Sequence, residues 1–287
     1  MLETIQKHSK IALVVLLLLT NVFIWSVVWS SGNSQFQIYF LDVGQGDAIL
    51  IKSPSGNKML IDGGQSASAL MLALSKAIPF YSKKIDVVLA THPDADHIGG
   101  LSEIFRRFEV DFVIDPDVLA ETRIFRDFQN AVALSDSQKL IARRGMKIDL
   151  GGGVVFVVLF PDRDVSGLNP NDASIVGKLF FGDTSFLLAG DAPIKIEEYL
   201  NFLDNEFLES DVLKVGHHGS RTSTSDDFVT AVNPKYAIIS AGRDNRYGHP
   251  HSEVLEILKN TGTKILGTYD RGTILFKSDG RRLEIRD

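Results

Sequence analysis

Four side chains able to ligate a divalent cation, His92, Asp94, Asp96 and His97, fall within the run Thr91-His92-Pro93-Asp94-Ala95-Asp96-His97-Ile98-Gly99-Gly100. Neutral imidazoles and carboxylates together suit a divalent metal, and a short loop fixes their geometry cheaply. A solvated polar loop with two unrelated histidines is the competing reading, and it does not account for this density of ligand types. The loop has to be held. Ahead of it, Ile85 to Ala90 is β-branched and apolar and predicts a buried strand. Behind it, Gly99 and Gly100 permit a tight turn, and Leu101 to Phe108 has helical apolar spacing. A ligand-dense loop leaving the C-terminal end of a strand is where an α/β sheet normally carries chemistry. The pattern recurs downstream: Ser185 to Ala189 predicts a strand ending in Gly190-Asp191, and Asp211 to Val215 one running into Gly216-His217-His218-Gly219-Ser220.

The first run resembles the first metal motif of the metallo-β-lactamase fold, His-x-His-x-Asp-His, with Asp94 where the second histidine usually stands. Together with Leu41-Asp42-Val43-Gly44-Gln45-Gly46-Asp47 and Lys214-Val215-Gly216-His217-His218-Gly219-Ser220, it looks most like the C-terminal domain of ComEC-type DNA-internalisation proteins, over Phe36 to Asp287. The fold this resemblance implies is α/β, a four-layer αβ/βα sandwich. It also implies that Asp191 bridges two metals, that His217 completes the second metal position with Asp96 and His97, and that Asp62 supports the metal loop from behind. His92, Asp94 and Asp191 would then form part of the first position. His218 is a proton shuttle, a phosphate contact or a further ligand. The turn Tyr247-Gly248-His249-Pro250 would face the metals, making His249 a substrate ligand or a general acid.

One departure stands out. The family's third motif is normally a histidine, and no histidine lies between His97 and His217. Asp172, or Asn171 beside it, is the obvious replacement. With Asp94 also replacing a histidine, the first position is oxygen-rich and leans toward Mn²⁺ or Mg²⁺, while the second suits Zn²⁺. The expected cofactors are two divalent cations, Zn²⁺ and/or Mn²⁺. The implied chemistry is hydrolysis, with Asp96 orienting the attacking water or taking its proton. A dimetal centre favours an anionic phosphodiester, and by resemblance that substrate is DNA, degraded as a single strand. Hydrolysis of a small ester, lactone or lactam, and a non-catalytic binding module on the same fold, are the alternatives.

The supporting composition is that of one large domain: 287 residues, 44% of them hydrophobic, with seven histidines and no cysteine. Disulfides and thiolate metal sites are excluded. A formal net charge of −6 is not the footprint of a general nucleic-acid binder. Arg106-Arg107, Arg143-Arg144 with Lys147, and Arg243 with Arg246 form either local basic surface or solvated faces. Ile11 to Trp29 carries no charge and is about long enough to cross a bilayer core. Lys7 and Lys10 precede it and no Lys or Arg follows until Lys52, so positive-inside bias puts the N-terminus in the cytoplasm. Trp25 and Trp29 would sit in an outer interfacial belt. The expected organisation is a cytoplasmic tail (1–10), a transmembrane anchor (11–29), a linker (30–35) and an extracytoplasmic hydrolase domain (36–287). A signal peptide cleaved near Val28-Trp29-Ser30 is the other reading. With one candidate span, any DNA uptake would need a separate channel protein as partner.

The remaining elements follow from pattern. Phe36–Leu41, Ala48–Lys52 and Lys58–Ile61 read as strands, and Ala67–Ile78 as a helix stopped by Pro79. Asp47 either lines the site floor or belongs to a buried turn. Glu121–Ala133 and Ser135–Arg144 read as helices, and Met146–Leu150 with Val154–Phe160 as a hairpin around Gly151-Gly152-Gly153. Asn171-Asp172-Ala173-Ser174 leads into a strand, Ile175–Phe181. Beyond His218, the helices begin near Asp226 and at Ser252, with strands at Tyr236–Ser240, Lys264–Leu266, Thr273–Phe276 and Leu283–Ile285.

Overall fold

Period-2 burial along the apolar runs decides the architecture. In the computed structural model, which describes residues 2–32 and 35–286 but not the side chains of residues 2–7, 9 and 26–32, these runs form two sheets. The first is built from β1 (Phe36–Phe40), β2 (Ile49–Lys52), β3 (Lys58–Ile61), β4 (Lys84–Leu89), β5 (Glu109–Asp115) and β6 (Gln138–Ile141). The chain then crosses to form β7 (Lys147–Gly151), β8 (Val154–Phe160), β9 (Val176–Phe181), β10 (Thr184–Leu188), β11 (Val212–Lys214), β12 (Tyr236–Ile239) and β13 (Lys264–Gly267). It returns to the first sheet with β14 (Ile274–Ser278) and β15 (Leu283–Arg286), giving the orders β15-β14-β1-β2-β3-β4-β5-β6 and β13-β12-β11-β10-β9-β8-β7.

The two sheets face each other. On β4, Val87 and Leu89 point between the sheets, where they join Phe36, Phe40, Phe156, Phe186, Ile238 and Phe276. Ile85 and Val88 point the other way, onto helices α2 (Ala67–Ala77), α4 (Leu101–Arg107) and α5 (Arg123–Ala133). The outer face of the second sheet is covered in the same manner by α6 (Ile194–Asp204), α7 (Asp226–Val232) and α8 (Ser252–Asn260), through Leu200, Phe228 and Leu258. Helix, sheet, sheet, helix is the four-layer sandwich that the resemblance implies.

Each sheet has a parallel half, β3 to β6 in the first and β10 to β13 in the second. In the register, Ile61 pairs with Leu89 and Leu188 with Lys214, so the residues that follow these strands emerge side by side at one rim. Donation from Ile175 N to Thr91 O (3.0 Å) ties the two halves together there.

Two expectations fail locally. The segment expected as a helix over Ser135–Arg144 contains β6, an edge strand paired in parallel with β5. Its residues score as helix formers, but Ser137 Oγ donates to Val110 O (2.7 Å) and Lys139 Nζ reaches Asp115 (2.9 Å), and an open sheet edge outweighs weak helical propensity. Helix α6 was not anticipated at all. At the N-terminus, α1 runs from Leu2 to Gly32, taking in most of the expected tail and the start of the expected linker. Its residues Ile11 to Trp25 are exposed. Among the described residues no helix is long and apolar enough to cross a membrane; the side chains of Ser26 to Trp29, the end of the expected span, and residues 33 and 34 of the linker lie outside the description.

Candidate metal centre

The strand ends place the ligands, and their hydrogen bonds set the imidazole tautomers. Asp62, fully buried just after β3, accepts from Thr91 N (2.8 Å), from Thr91 Oγ1 (2.7 Å) and from His97 Nδ1 (2.7 Å). A carboxylate only accepts, so the His97 proton sits on Nδ1 and Nε2 is left bare. Thr91 Oγ1 gives its one proton to Asp62 and therefore accepts from His92 Nδ1 at 3.0 Å, which bares His92 Nε2 as well. His218 Nδ1 donates to Ser240 O (2.9 Å) at the end of β12, with the same consequence. The Nε2 atoms of His92, His97 and His218 are all buried without a hydrogen-bond partner.

Gly99 and Gly100 turn out to serve space rather than a turn. Both have right-handed helical dihedrals (φ −59 and −84), but a Cβ would lie 2.4 Å from Gln65 O and 2.2 Å from Gly63 O. The single helical turn α3 (Ala95–Ile98) can thus pack against the Asp62 turn. His217 and His218 both adopt positive φ (46° and 55°), a conformation costing roughly 1–3 kcal/mol for non-glycine residues. It brings both successive imidazoles within reach of Asp191.

The bare nitrogens converge on one oxygen. Asp191 Oδ2 lies 3.3 Å from His97 Nε2, 3.6 Å from His218 Nε2, 3.7 Å from His217 Nε2 and 3.8 Å from His92 Nε2. Asp96 Oδ2 is 3.3 Å from His218 Nε2, and Asp94 Oδ2 is 3.6 Å from His92 Nε2. Burial opposes charge on His218, yet Asp191, Asp47 and Asp96 around it raise its pKa to about 9. Burial likewise opposes charge on His97, and Asp191 and Asp62 raise it well above the ordinary value. The same field holds Asp191 well below the usual carboxylate range despite its burial, through His218 and His97. Carboxylates that would otherwise load buried imidazoles with protons are the environment a divalent cation needs, and the unpartnered nitrogens would be its ligands. The donor set fits divalent cations.

Asp47 joins His97, Asp191 and His218 in a fully buried group whose ligand atoms all lie within 4.8 Å of one another. Its Oδ1 is 3.3 Å from His218 Nδ1, and its Oδ2 takes the ammonium of Lys214, whose side chain is fully buried between the sheets. Asp47 Oδ1 is buried without a hydrogen-bond partner, so Asp47 stands both beside His218 and among the groups that could hold a cation. Sequence reasoning left Asp47 between the site floor and a buried turn, and it gave Lys214 no role. The available signal was a lysine inside the apolar strand run Val212-Leu213-Lys214-Val215.

Two expected residues sit elsewhere. The Asp172 carboxylate is bound by Lys195 Nζ (2.5 Å) on α6, and among the described residues no contact joins it to the cluster. His218, given three possible roles above, occupies the place beside Asp96 and His97 that was expected of His217. His217 is partly exposed, hydrogen-bonded through Nδ1 to Thr222 Oγ1 (3.0 Å), and faces the rim. His249 stands next to it, ring centroids 5.6 Å apart, with Nδ1 buried and unpartnered. Burial, together with His217, His218 and His251, lowers the His249 pKa to about 4, so its imidazole is neutral at pH 7.

This fold and this cluster define a member of the metallo-β-lactamase superfamily, whose family model matches residues 41–243. Among curated proteins, the chain is 32% identical over 271 residues to ComE operon protein 3 of Bacillus subtilis, covering 87% of this chain and 34% of that one. It is also 32% identical over 254 residues to Recombination protein 2 of Haemophilus influenzae, covering 88% of this chain and 30% of that protein. Competence protein ComA of Neisseria gonorrhoeae is 29% identical over 82% of the chain. The chain thus spans about a third of the length of these relatives. Among solved structures, the metallo-β-lactamase fold protein YhfI of Bacillus subtilis superposes with a TM-score of 0.58 at 12% identity, over 85% of this chain and all of that one. The similarity to competence proteins agrees with the motifs, and the structural likeness supports the fold.

Proposed function

We propose that this chain is a metal-dependent phosphodiesterase that cleaves DNA, held at a membrane by α1. The observation that carries the reading is the convergence of three buried, bare Nε2 atoms on Asp191. We assign Asp96, His97, His218 and Asp191 to one cation, and His92, Asp94, His217 and Asp191 to the other. His217 then fills the gap left by the missing third histidine, which Asp172 was expected to fill. Two bound cations would supply Lewis-acid polarisation of a phosphoryl oxygen and an acidified water. Asp96, a quarter exposed, is placed to orient that water and accept its proton. His249, whose pKa is lowered by burial and by the neighbouring imidazoles, contributes a hydrogen bond to a substrate oxygen. An anionic ester suits this centre better than a neutral amide. The names of the relatives, a recombination protein and competence proteins, favour DNA as the substrate.

Membrane attachment rests on the exposed apolar run from Ile11 to Trp25 and the lysines before it. The hydrolase domain then lies outside the cytoplasm, and passage of DNA would fall to a multi-helix channel partner.

The reaction is tested by assaying purified protein, with Mn²⁺ and Zn²⁺ separately, on single-stranded DNA, RNA, a nitrophenyl phosphodiester and a chromogenic lactam. Metal-dependent cleavage of DNA and of the nitrophenyl ester is expected. Turnover of the lactam alone would replace this reading with the small-ester hydrolase. The metal assignment is tested by counting bound cations. His217→Ala should lose one of two cations or weaken it by about 10–100-fold, and Asp172→Ala should keep both. The reverse pattern would restore Asp172 as the ligand.

A further inference from the structure

The loop that brings His249 to the site also carries a cation that the reaction does not yet use. Asn245 staples this loop: its Nδ2 donates to Gly242 O (2.9 Å) and His249 O (2.6 Å), and its Oδ1 accepts from Tyr247 N (3.2 Å) and His249 N (3.0 Å). Tyr247 is thereby stacked on His249, centroids 5.6 Å apart at 22°, and His249 meets His217 of the cluster edge-to-face at 5.6 Å and 73°. Arg246 lies over the Tyr247 ring at 4.9 Å and donates from Nη2 to Tyr247 Oη at 2.7 Å.

Neighbouring arginines are otherwise engaged. Arg221 pairs with Glu253 (3.6 Å), and Arg243 Nε donates to Tyr269 O (3.0 Å). Arg246 has no carboxylate within ion-pair distance among the described residues, and its remaining guanidinium donors have no protein acceptor there. Tyr247, on which Arg246 rests, stacks in turn on His249, so the guanidinium stands on the loop that reaches the cluster. It is held in one orientation by an aromatic ring and a hydroxyl, with a free planar fork. That is the geometry that recognises phosphate oxygens.

Charge makes such a contact necessary. A chain of net charge −6 repels a polyanion at long range, so affinity for a polynucleotide must come from local positive groups. Bound cations would neutralise the phosphate being cleaved. The next phosphate along the strand needs its own cation.

We propose that Arg246, braced by Tyr247, binds the phosphate adjacent to the scissile one and makes the centre selective for polynucleotide strands over isolated phosphodiesters. The proposal rests on the phosphodiesterase reading above. Its test compares Arg246→Gln and Arg246→Lys with the unaltered protein, using a single-stranded oligonucleotide and a nitrophenyl ester with one phosphate. Arg246→Gln should raise the oligonucleotide KM about tenfold, at least fivefold more than the KM of the nitrophenyl ester, with kcat little altered. The slope of log KM against log salt for the oligonucleotide should shrink by about 0.7, one phosphate contact on a single strand. Arg246→Lys should restore the slope, because it keeps the charge, while recovering only part of the KM. Equal losses on both substrates, or an unchanged oligonucleotide KM and salt slope, would overturn the proposal. Oligonucleotide binding read by fluorescence anisotropy separates the two layers of the argument. Absent turnover by the unaltered protein dismisses the phosphodiesterase reading, whereas equal oligonucleotide affinity with and without Arg246 dismisses this one.

Discussion

Asp191→Ala should lower turnover of a nitrophenyl phosphodiester by about a thousandfold or more while the protein stays folded. One carboxylate oxygen stands within 3.3–3.8 Å of the Nε2 atoms of His92, His97, His217 and His218. No other described side chain is shared by both halves of the cluster in this way. Its loss leaves two dicationic positions without the charge that would hold them together. His218→Ala should also cost several orders of magnitude, and the double variant should lose little more than either single one, because both remove the same assembly. Turnover and cation content measured on the same preparations decide it. A loss of less than tenfold with two cations still bound would remove Asp191 from the bridging role, and additive losses would mean that the two residues act separately. The fold itself should tolerate Asp191→Ala, since removing a buried carboxylate also removes its desolvation cost.

The largest effect on stability is expected between the sheets. Phe276→Ala should destabilise the protein by about 3–5 kcal/mol. The ring is fully buried on β14 and meets Phe40 of its own sheet at 6.1 Å, and Phe186 and Tyr236 of the other sheet at 5.9 Å and 5.5 Å. Three aromatic rings from two sheets cannot close around an empty ring site without shifting both sheets, so little relaxation should offset the cavity. Urea denaturation provides the measurement; a change below about 1 kcal/mol would mean that this layer repacks freely. The effect bears on function as well. His92, Asp94, Asp96 and His97 leave the first sheet, and Asp191, His217 and His218 leave the second. A protein whose sheets separate therefore has no complete centre.

How much of this was legible beforehand differs from residue to residue. Strand β3 over Lys58–Ile61, strand β8 over Val154–Phe160 and the ligand loop after β4 were readable from local pattern, because apolar periodicity and turn chemistry act over a few neighbours. Segment 138–141 was misread, since its strand exists only because β5 offers it an unpaired edge. Within the site, residue types and spacing marked His92, Asp94, Asp96 and His97, and the resemblance added Asp191 and the two adjacent histidines.

Motif order, through the resemblance it carries, thus determined the family and implied the two-sheet architecture and the kind of chemistry, since these depend on which residues follow which strand. The different surroundings of His217 and His218, the engagement of Asp172 by Lys195, and the buried Lys214–Asp47 pair beside His218 were decided by tertiary structure alone. Each depends on where a side chain meets partners remote in the chain. Neighbouring histidines look alike in sequence, and only the carbonyl of Ser240 and the hydroxyl of Thr222, one buried and one at the rim, make them different.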